Sequence, residues 1–348
     1  MNAKSLFLIG LAASSLLRLA PASVRAADGP YHFLKEIPVA GDGGWDYLSV
    51  DEAARRLYVS HATKVVVIDM DKNEVVGEIA DTPGVHGIAI APKLGRGFVS
   101  NGREAKASIV DLKTLKTLSK VDTGENPDAI LFEPEHQEVY AFNGRSQSAT
   151  VFAAATGKVI ATIALAGKPE FAVADPKAGR VYNNLEDKSE VVAIDTKTHE
   201  VANRWPIAPG AEASGMAFDA AHHRLFLGCG NKLMVMMDSE SGKVVATVPI
   251  GDRVDANAFD PGTQLAFSSN GEGNVTIAHE DSPDKLTVVQ TLPTARGAKT
   301  MALDPQTHRI YLGAAKYEAS TGASQKRPAL VAGSFKILVY GMEKAAPQ

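Results

Sequence analysis

Chemically reactive side chains recur at one position of this sequence, five residues before a turn residue. The seven residues at that position are Asp46, His86, Asp128, Glu170, Ser214, Asp255 and Lys299. Carboxylates that lie close together repel one another unless a cation or a basic group lies among them. Because carboxylate oxygens suit Ca²⁺ or Mg²⁺, we predict Asp128, Glu170 and Asp255 as metal ligands and Lys299 as an internal counter-charge.

This recurrence also defines the elements that must position these side chains. A short apolar strand runs from each of them to a turn residue, and a second strand follows with an aromatic residue seven positions after the turn residue. The turn residues are Asp51, Ala91, Glu133, Asp175, Asp219, Asp260 and Asp304. The aromatic residues are Tyr58, Phe98, Tyr140, Tyr182, Phe226, Phe267 and Tyr311, at separations of 40 to 44 residues. Such a period with four strands per copy is typical of a β-propeller.

We therefore predict an all-β fold, a single seven-bladed β-propeller domain with four-stranded blades over residues 27–348. The last copy ends at residues 335–340 without a closing strand, whereas residues 31–39 resemble the closing strands of the other copies. We expect this N-terminal strand to close the last blade, because closure removes edges that would pair with other chains.

Residues 1–26 are typical of a secretory signal peptide. Lys4 gives the positive start, residues 5–17 form an apolar run too short to span a bilayer, and residues 24–26 resemble a cleavage site. We predict cleavage before Ala27 and a periplasmic or secreted protein. A retained N-terminal anchor is the alternative, and no transmembrane segment is predicted after cleavage.

Charge and cysteine content restrict the classes of partner. The chain has a formal net charge of −4. The segment removed by the predicted cleavage contains basic residues and no acidic residue, so the mature protein has a more negative net charge. Such a protein is a poor general binder of nucleic acid. Cys229 is the single cysteine, so no internal disulfide forms. We expect a monomer that binds a small polar ligand or a protein partner.

Several segments resemble the YVTN repeat. They are residues 58–61 (YVSH), 98–101 (FVSN) and 140–143 (YAFN), with the following strands 65–69 and 191–195. The chain is similar over residues 31–342 to the YncE-like seven-bladed propellers of this family. The resemblance implies an exported propeller but indicates little about activity. Several copies depart from the motif; in the fourth copy the asparagine shifts to Asn184.

A second set of polar residues is expected at the same mouth of the propeller, around the seven positions described first. It lies three residues after the aromatic residues and comprises His61, Asn101, Asn143 and Asn270, with Asn184 in the shifted copy. The long link of residues 314–334 is expected on this face as well. Asp46, His61 and His86 form a candidate site for a transition metal. A hydrated mouth without any ligand is the alternative, because asparagine also suits tight turns.

Two functions follow from this arrangement. The first is a binding or scaffolding protein whose mouth takes a small polar or cationic ligand or a segment of a partner. The alternative is a metal-dependent hydrolase resembling propeller lactonases, with ligands drawn from Glu170, Asn143, Asn184, Asn270 and Asp255. No G-x-S-x-G, H-E-x-x-H or paired C-x-x-C motif is present, so the sequence leaves open whether the protein is an enzyme.

Overall fold

The computed structural model describes residues 29–39, 41–318 and 329–342. Within these ranges, antiparallel strands form seven four-stranded sheets, which confirms the predicted propeller. Helical structure in the described part is limited to two short 3₁₀ turns, Pro92–Leu94 and Glu186–Lys188. No helix there is long and apolar enough to cross a membrane. The predicted signal peptide, residues 1–26, lies outside the described residues.

Each of blades 1 to 6 is formed by four consecutive strands. Blade 1 contains β2 (Trp45–Asp51), β3 (Arg56–His61), β4 (Lys64–Asp69) and β5 (Glu74–Ile79); blade 2 contains β6 (Val85–Ala91), β7 (Arg96–Asn101), β8 (Lys106–Asp111) and β9 (Lys116–Asp122); blade 3 contains β10 (Pro127–Glu133), β11 (Glu138–Asn143), β12 (Ser148–Ala153) and β13 (Val159–Ala164). Blade 4 contains β14 (Pro169–Asp175), β15 (Arg180–Leu185), β16 (Glu190–Asp195) and β17 (Glu200–Pro206); blade 5 contains β18 (Ala213–Asp219), β19 (Arg224–Cys229), β20 (Leu233–Asp238) and β21 (Val244–Pro249); blade 6 contains β22 (Val254–Asp260), β23 (Leu265–Asn270), β24 (Asn274–Ser282) and β25 (Lys285–Pro293). The first strands of successive blades contact one another around a closed ring that surrounds the central channel.

Blade 7 is assembled from both ends of the described chain. It contains β26 (Met301–Asp304), β27 (Arg309–Ala314) and β28 (Lys336–Gly341), and β1 (His32–Pro38) pairs with β28 as the outer strand. The predicted closure is thus confirmed. Gln290 of blade 6 strengthens it, because its side-chain amide accepts a hydrogen bond from the Tyr31 N–H at 3.0 Å and donates one to the Tyr31 carbonyl at 2.8 Å.

The turn between the first two strands explains the repeated spacing. In blade 1 the Asp51 carboxylate accepts a hydrogen bond from the backbone N–H of Ala54 at 3.0 Å. The residue before each second strand is left-handed, with φ between 55° and 63°: Arg55, Gly95, Gln137, Gly179, His223, Gln264 and His308. Blade 2 has Ala91 in place of the acid, and there the Pro92–Leu94 turn replaces the carboxylate-capped turn. A turn of the same length, ending in a left-handed residue, thus holds the two strands in register in every copy.

The aromatic residues that define the repeat form the core between blades. All seven are at most 2% exposed. Outer strands such as β5 are mainly exposed, whereas β3 and β11 are almost completely buried. The packing therefore fixes the first strands, whose ends carry the predicted site.

Candidate functional site: the acidic mouth of the channel

The residues that recur before the turns come together at one mouth of the channel. Asp46, His86, Asp128, Glu170, Ser214 and Asp255 are each the second residue of a first strand. Lys299 instead lies two residues before β26, a strand of four residues where the others have seven. We call these seven residues the mouth ring. The first six share one position in their strands, which brings their side chains to the same end of the channel.

The backbone of the mouth ring is irregular in every one of the six blades with a full first strand. In blade 1 the register of β2 and β3 shifts between Trp45 and Leu48, blades 2 to 5 shift at the corresponding residues, and blade 6 shifts between Val254 and Ala256. A bulge leaves backbone groups unpaired and redirects a side chain. The mouth ring therefore departs from the regular pleat.

Side chains of the preceding blade bind the carbonyl groups that these irregularities leave free. The Ser100 hydroxyl donates to the Asp128 carbonyl at 2.6 Å, and the Asn184 amide donates to the Ser214 carbonyl at 3.1 Å. Ser269 donates in the same way to the carbonyl of Lys299. All three donors lie two residues after the aromatic residue of their second strand. We call these bonds the inter-blade clamps, because each fixes a ring residue to its neighbouring blade.

His86 joins the first three blades. Its Nδ1 lies 2.7 Å from Asp46 Oδ2 and 3.5 Å from Asp128 Oδ1. Burial alone would lower the pKa of His86, but the hydrogen bond to Asp46 and the charges of both carboxylates raise this pKa to about 9. His86 is therefore an imidazolium at neutral pH and acts as a counter-charge inside the mouth.

Lys299 and Asp255 form the second pair, with Lys299 Nζ 2.6 Å from Asp255 Oδ2. The Ser214 hydroxyl also donates to Asp255 at 3.4 Å. Burial and the charge of Asp46 raise the pKa of Asp255 despite the nearby ammonium, whereas the Asp255 charge raises the pKa of Lys299 against the effect of burial. This pair matches the predicted role of Lys299 as an internal counter-charge.

A third counter-charge, Lys168, has no equivalent in the sequence prediction. Its Nζ lies 2.7 Å from Glu170 Oε1 and also pairs with Glu186. Burial and the charge of Asp128 still raise the pKa of Glu170 above its usual value. Lys168 lies two residues before the repeated position, so the five-residue spacing gave no signal for it.

Asp128 is the least compensated carboxylate of the mouth ring. Within the described residues its carboxylate accepts no hydrogen bond, and its one ion pair is the 3.5 Å approach of His86. Burial, together with the charges of Asp46 and Asp255, raises the pKa of Asp128 to about 6. Four carboxylates face three basic groups here, so the fully ionised mouth keeps a net negative charge, and Asp128 is the group on which an added cation would act most directly.

Two aromatic rings close the channel next to the mouth ring. Tyr47 of blade 1 reaches Phe171 of blade 4, with ring centroids 5.4 Å apart in an edge-on arrangement. Burial and then the charges of Asp128, Glu170, Asp46 and Asp255 raise the pKa of Tyr47. The adjoining cavity, lined by these rings and by Gly87, Ala129 and neighbouring residues, has a volume of about 50 Å³. None of the mouth-ring carboxylates lines this cavity, and its volume admits water rather than a larger molecule.

Most of the second predicted set of polar residues lies in the blades rather than in the mouth. His61 is 1% exposed and stacks on Phe335 with ring centroids 4.6 Å apart, and burial lowers its pKa. The amides of Asn101, Asn143 and Asn270 bond to hydroxyl groups or backbone within their own blades. These asparagines and His61 therefore join strands, and Asn184 forms an inter-blade clamp.

The structure groups possible metal ligands differently from the sequence prediction. Ligand atoms of Asp46, His86 and Asp128 lie within 4.8 Å of one another. Asp128, Glu170 and Asp255 do not form such a group in the described part of the chain, because Glu170 and Asp255 each turn to a lysine. The alternative set of Asp46, His61 and His86 is likewise not brought together, since the His61 ring packs on Phe335.

The ligands considered for a lactonase-like site do not converge either. Asn143 bonds to Ser148 and Thr150 of its own blade, and Asn184 holds the backbone of blade 5. The described ends of the long link meet in an isolated bridge between Tyr317 and Leu330; its residues 319–328 lie outside the described part. Phe335 at the end of this link stacks on Trp45 with centroids 5.0 Å apart, so Trp45 packs between the first and last blades.

Comparison with known proteins supports the fold alone. No family model matches the chain, and no curated protein matches it. The Kuenenia stuttgartiensis hydrazine synthase structure contains a similar chain with a TM-score of 0.68 and 17% identity, covering 79% of this chain and 94% of that one. A chain of the crystal structure of the mitotic checkpoint complex gives a TM-score of 0.72 and 15% identity, covering 98% and 99%. At such identities the likeness shows the propeller fold, and the YVTN assignment stays a prediction.

Proposed function

We propose that this protein is a binding protein that holds the cationic group of a small ligand at the mouth ring. The observation that carries the proposal is the Asp128 carboxylate, mostly buried and poorly compensated beside the aromatic pair Tyr47 and Phe171. A carboxylate beside an aromatic ring is the combination that recognises an ammonium group, since the ring face also attracts cations.

The shared chemistry of the ligand is a compact positive charge, supplied by an organic ammonium or by a divalent ion. The aromatic pair favours the ammonium, whereas the oxygen ligands also suit Ca²⁺ or Mg²⁺.

Within this proposal the protein belongs to the YncE-like exported propellers and binds its ligand outside the cytoplasm. N-terminal sequencing of the exported protein is expected to start at Ala27; an intact Met1 on membrane-bound protein would contradict export by cleavage.

Thermal unfolding at pH 7.5 tests the binding proposal, with butylammonium chloride, CaCl₂ and MgCl₂ as separate probes at matched ionic strength. A saturable rise in Tm of about 2–5 °C is expected for a bound probe. Asp128→Asn should abolish this rise and raise the Tm of the free protein, because ionised Asp128 is disfavoured by burial and by its neighbours. Asp122→Asn, at a carboxylate on the exposed rim, is the matched control and should behave like the parent.

The pattern of responses separates the sources of charge. A response to butylammonium alone assigns an organic amine, and a response to divalent ions alone assigns a metal. If the parent protein ignores every probe, or if Asp128→Asn responds like the parent, the mouth is a hydrated ion-pair network and the proposal fails.

A further inference from the structure

A second cluster of ligating groups lies away from the mouth, between blades 5 and 6. Asp219 ends β18, His222 lies in the turn that follows, and Glu280 lies near the end of β24 in the next blade. Atoms of all three lie within 4.8 Å of one another. The turn between first and second strands is at the opposite end of the first strand from the mouth ring, so this cluster is separate from the site described above.

The turn of blade 5 leaves one oxygen of its acid free, unlike the turns of blades 6 and 7. Asp219 Oδ1 accepts the N–H of Ala221 at 2.9 Å, as the turn requires. In blades 6 and 7 the threonine three residues after the acid donates its hydroxyl to the other oxygen, as Thr263 does to Asp260 Oδ2 at 2.9 Å. Blade 5 has His222 at that position, and Asp219 Oδ2 is buried without a hydrogen-bond partner.

Glu280 is the observation that points to a ligand. The residue is 1% exposed, and neither of its carboxylate oxygens has a hydrogen-bond partner. Among the described residues its one ion pair is with His222, which Glu280 shares with Asp219, and a buried carboxylate with so little compensation is disfavoured. Nearby Arg224 is already engaged with Asp238, Asp284 and the Pro283 carbonyl.

The spacing of the donor atoms fits a common metal centre. His222 Nδ1 lies 2.8 Å from Asp219 Oδ2 and 3.3 Å from Glu280 Oε1, yet it makes a hydrogen bond with neither. Ligands about 2.1 Å from one ion are separated from each other by roughly 3.0–3.4 Å in octahedral or tetrahedral geometry. The 3.3 Å separation of His222 and Glu280 falls within this range, and the 2.8 Å separation of His222 and Asp219 is slightly shorter, so binding of an ion would move these last two groups slightly apart.

We propose that Asp219, His222 and Glu280 form a site for a divalent transition-metal ion that ties blade 5 to blade 6. One imidazole nitrogen with two carboxylates suits Zn²⁺, Mn²⁺ or Co²⁺ better than Ca²⁺, which prefers oxygen alone. About a third of the His222 side chain is exposed, which gives the ion a path from solvent and room for water ligands. The ion compensates Glu280 and stabilises the folded ring by mass action.

Co²⁺ titration of protein freed of metal by chelator tests the proposal, followed by Zn²⁺ and thermal unfolding. The parent should bind one equivalent at this site with visible d–d absorption, and Zn²⁺ should raise its Tm by several degrees. His222→Ala and the isosteric Glu280→Gln should each lose that equivalent, its absorption and the Zn²⁺-dependent rise in Tm.

His136→Ala is the matched control, because His136 pairs with Glu133 in the corresponding turn of blade 3 and no third carboxylate joins that pair in the described structure. This variant should keep the ion. His222→Gln replaces His222→Ala if the latter does not fold. The metal site would be overturned if both the His222 and the Glu280 variants bound the ion as the parent does, or if the parent bound no ion. A proton shared between Asp219 and Glu280 would then explain the two buried acids.

Discussion

His86 illustrates how the mouth changes the chemistry of a single residue. Its folded-state pKa of about 9 lies above the ordinary value of 6.5, because Asp46 and Asp128 favour the imidazolium. A raised histidine pKa contributes stability that is fully present below about pH 6.5 and is lost as the pH rises through about 9. The protein should therefore lose part of its stability in mildly alkaline solution.

Asp46→Asn should lower the pKa of His86 by at least about one unit, because the amide cannot supply the charge that forms the 2.7 Å contact. NMR titration of the His86 imidazole measures this directly, and the alkaline loss of stability should shift to lower pH in parallel. Asp122→Asn serves as the control. A His86 pKa that does not change in Asp46→Asn would mean that Asp46 is not its principal partner.

At the scale of the strand, the inter-blade clamps explain residues that the sequence pattern could not assign. The sequence predicted asparagines near the ends of second strands as ligands, because the repeat sets their distance from the mouth. Whether such a side chain turns to the channel or to the neighbouring backbone depends on the bulge in the next blade, which the period does not reveal. Asn184 turned to the backbone and donates to the carbonyls of both Ser214 and Gly215.

Asn184→Ala should destabilise the protein by about 1–3 kcal/mol, since it removes the side-chain donor from one buried and one partly buried carbonyl group. Chemical denaturation of the purified variant gives this value. Asn203→Ala, at an exposed position of the outer strand in the same blade, should change stability by less than about 0.5 kcal/mol. Equal effects of the two substitutions would show that the clamp at Asn184 contributes nothing.

At the scale of the molecule, the fold was predictable and the pairing of charges was only partly so. Seven aromatic residues in one register, each buried between blades, fix the number of blades, and the missing strand of the last copy fixes its closure. The positions of Asp46, Asp128, Glu170 and Asp255 follow from the same register. Lys168 and Glu280 do not, because both lie outside the repeated spacing, and Glu280 approaches Asp219 and His222 only through the packing of blade 6 on blade 5.

Closure makes the stability of the whole ring depend on one terminal strand. A chain that begins at residue 41 lacks β1, so it exposes the edge of β28, removes the contact of Ile37 with Ile337 and leaves Gln290 without its Tyr31 partner. Without that strand, blade 7 has three strands and an unpaired apolar edge, which favours association between molecules.

A chain that begins at residue 29 keeps β1 and is the matched control. The shorter chain should aggregate or unfold without a cooperative transition in calorimetry and light scattering, whereas the longer one should unfold cooperatively as the parent does. If the two chains unfold alike, β1 is dispensable and the ring is held closed by contacts between the first strands alone.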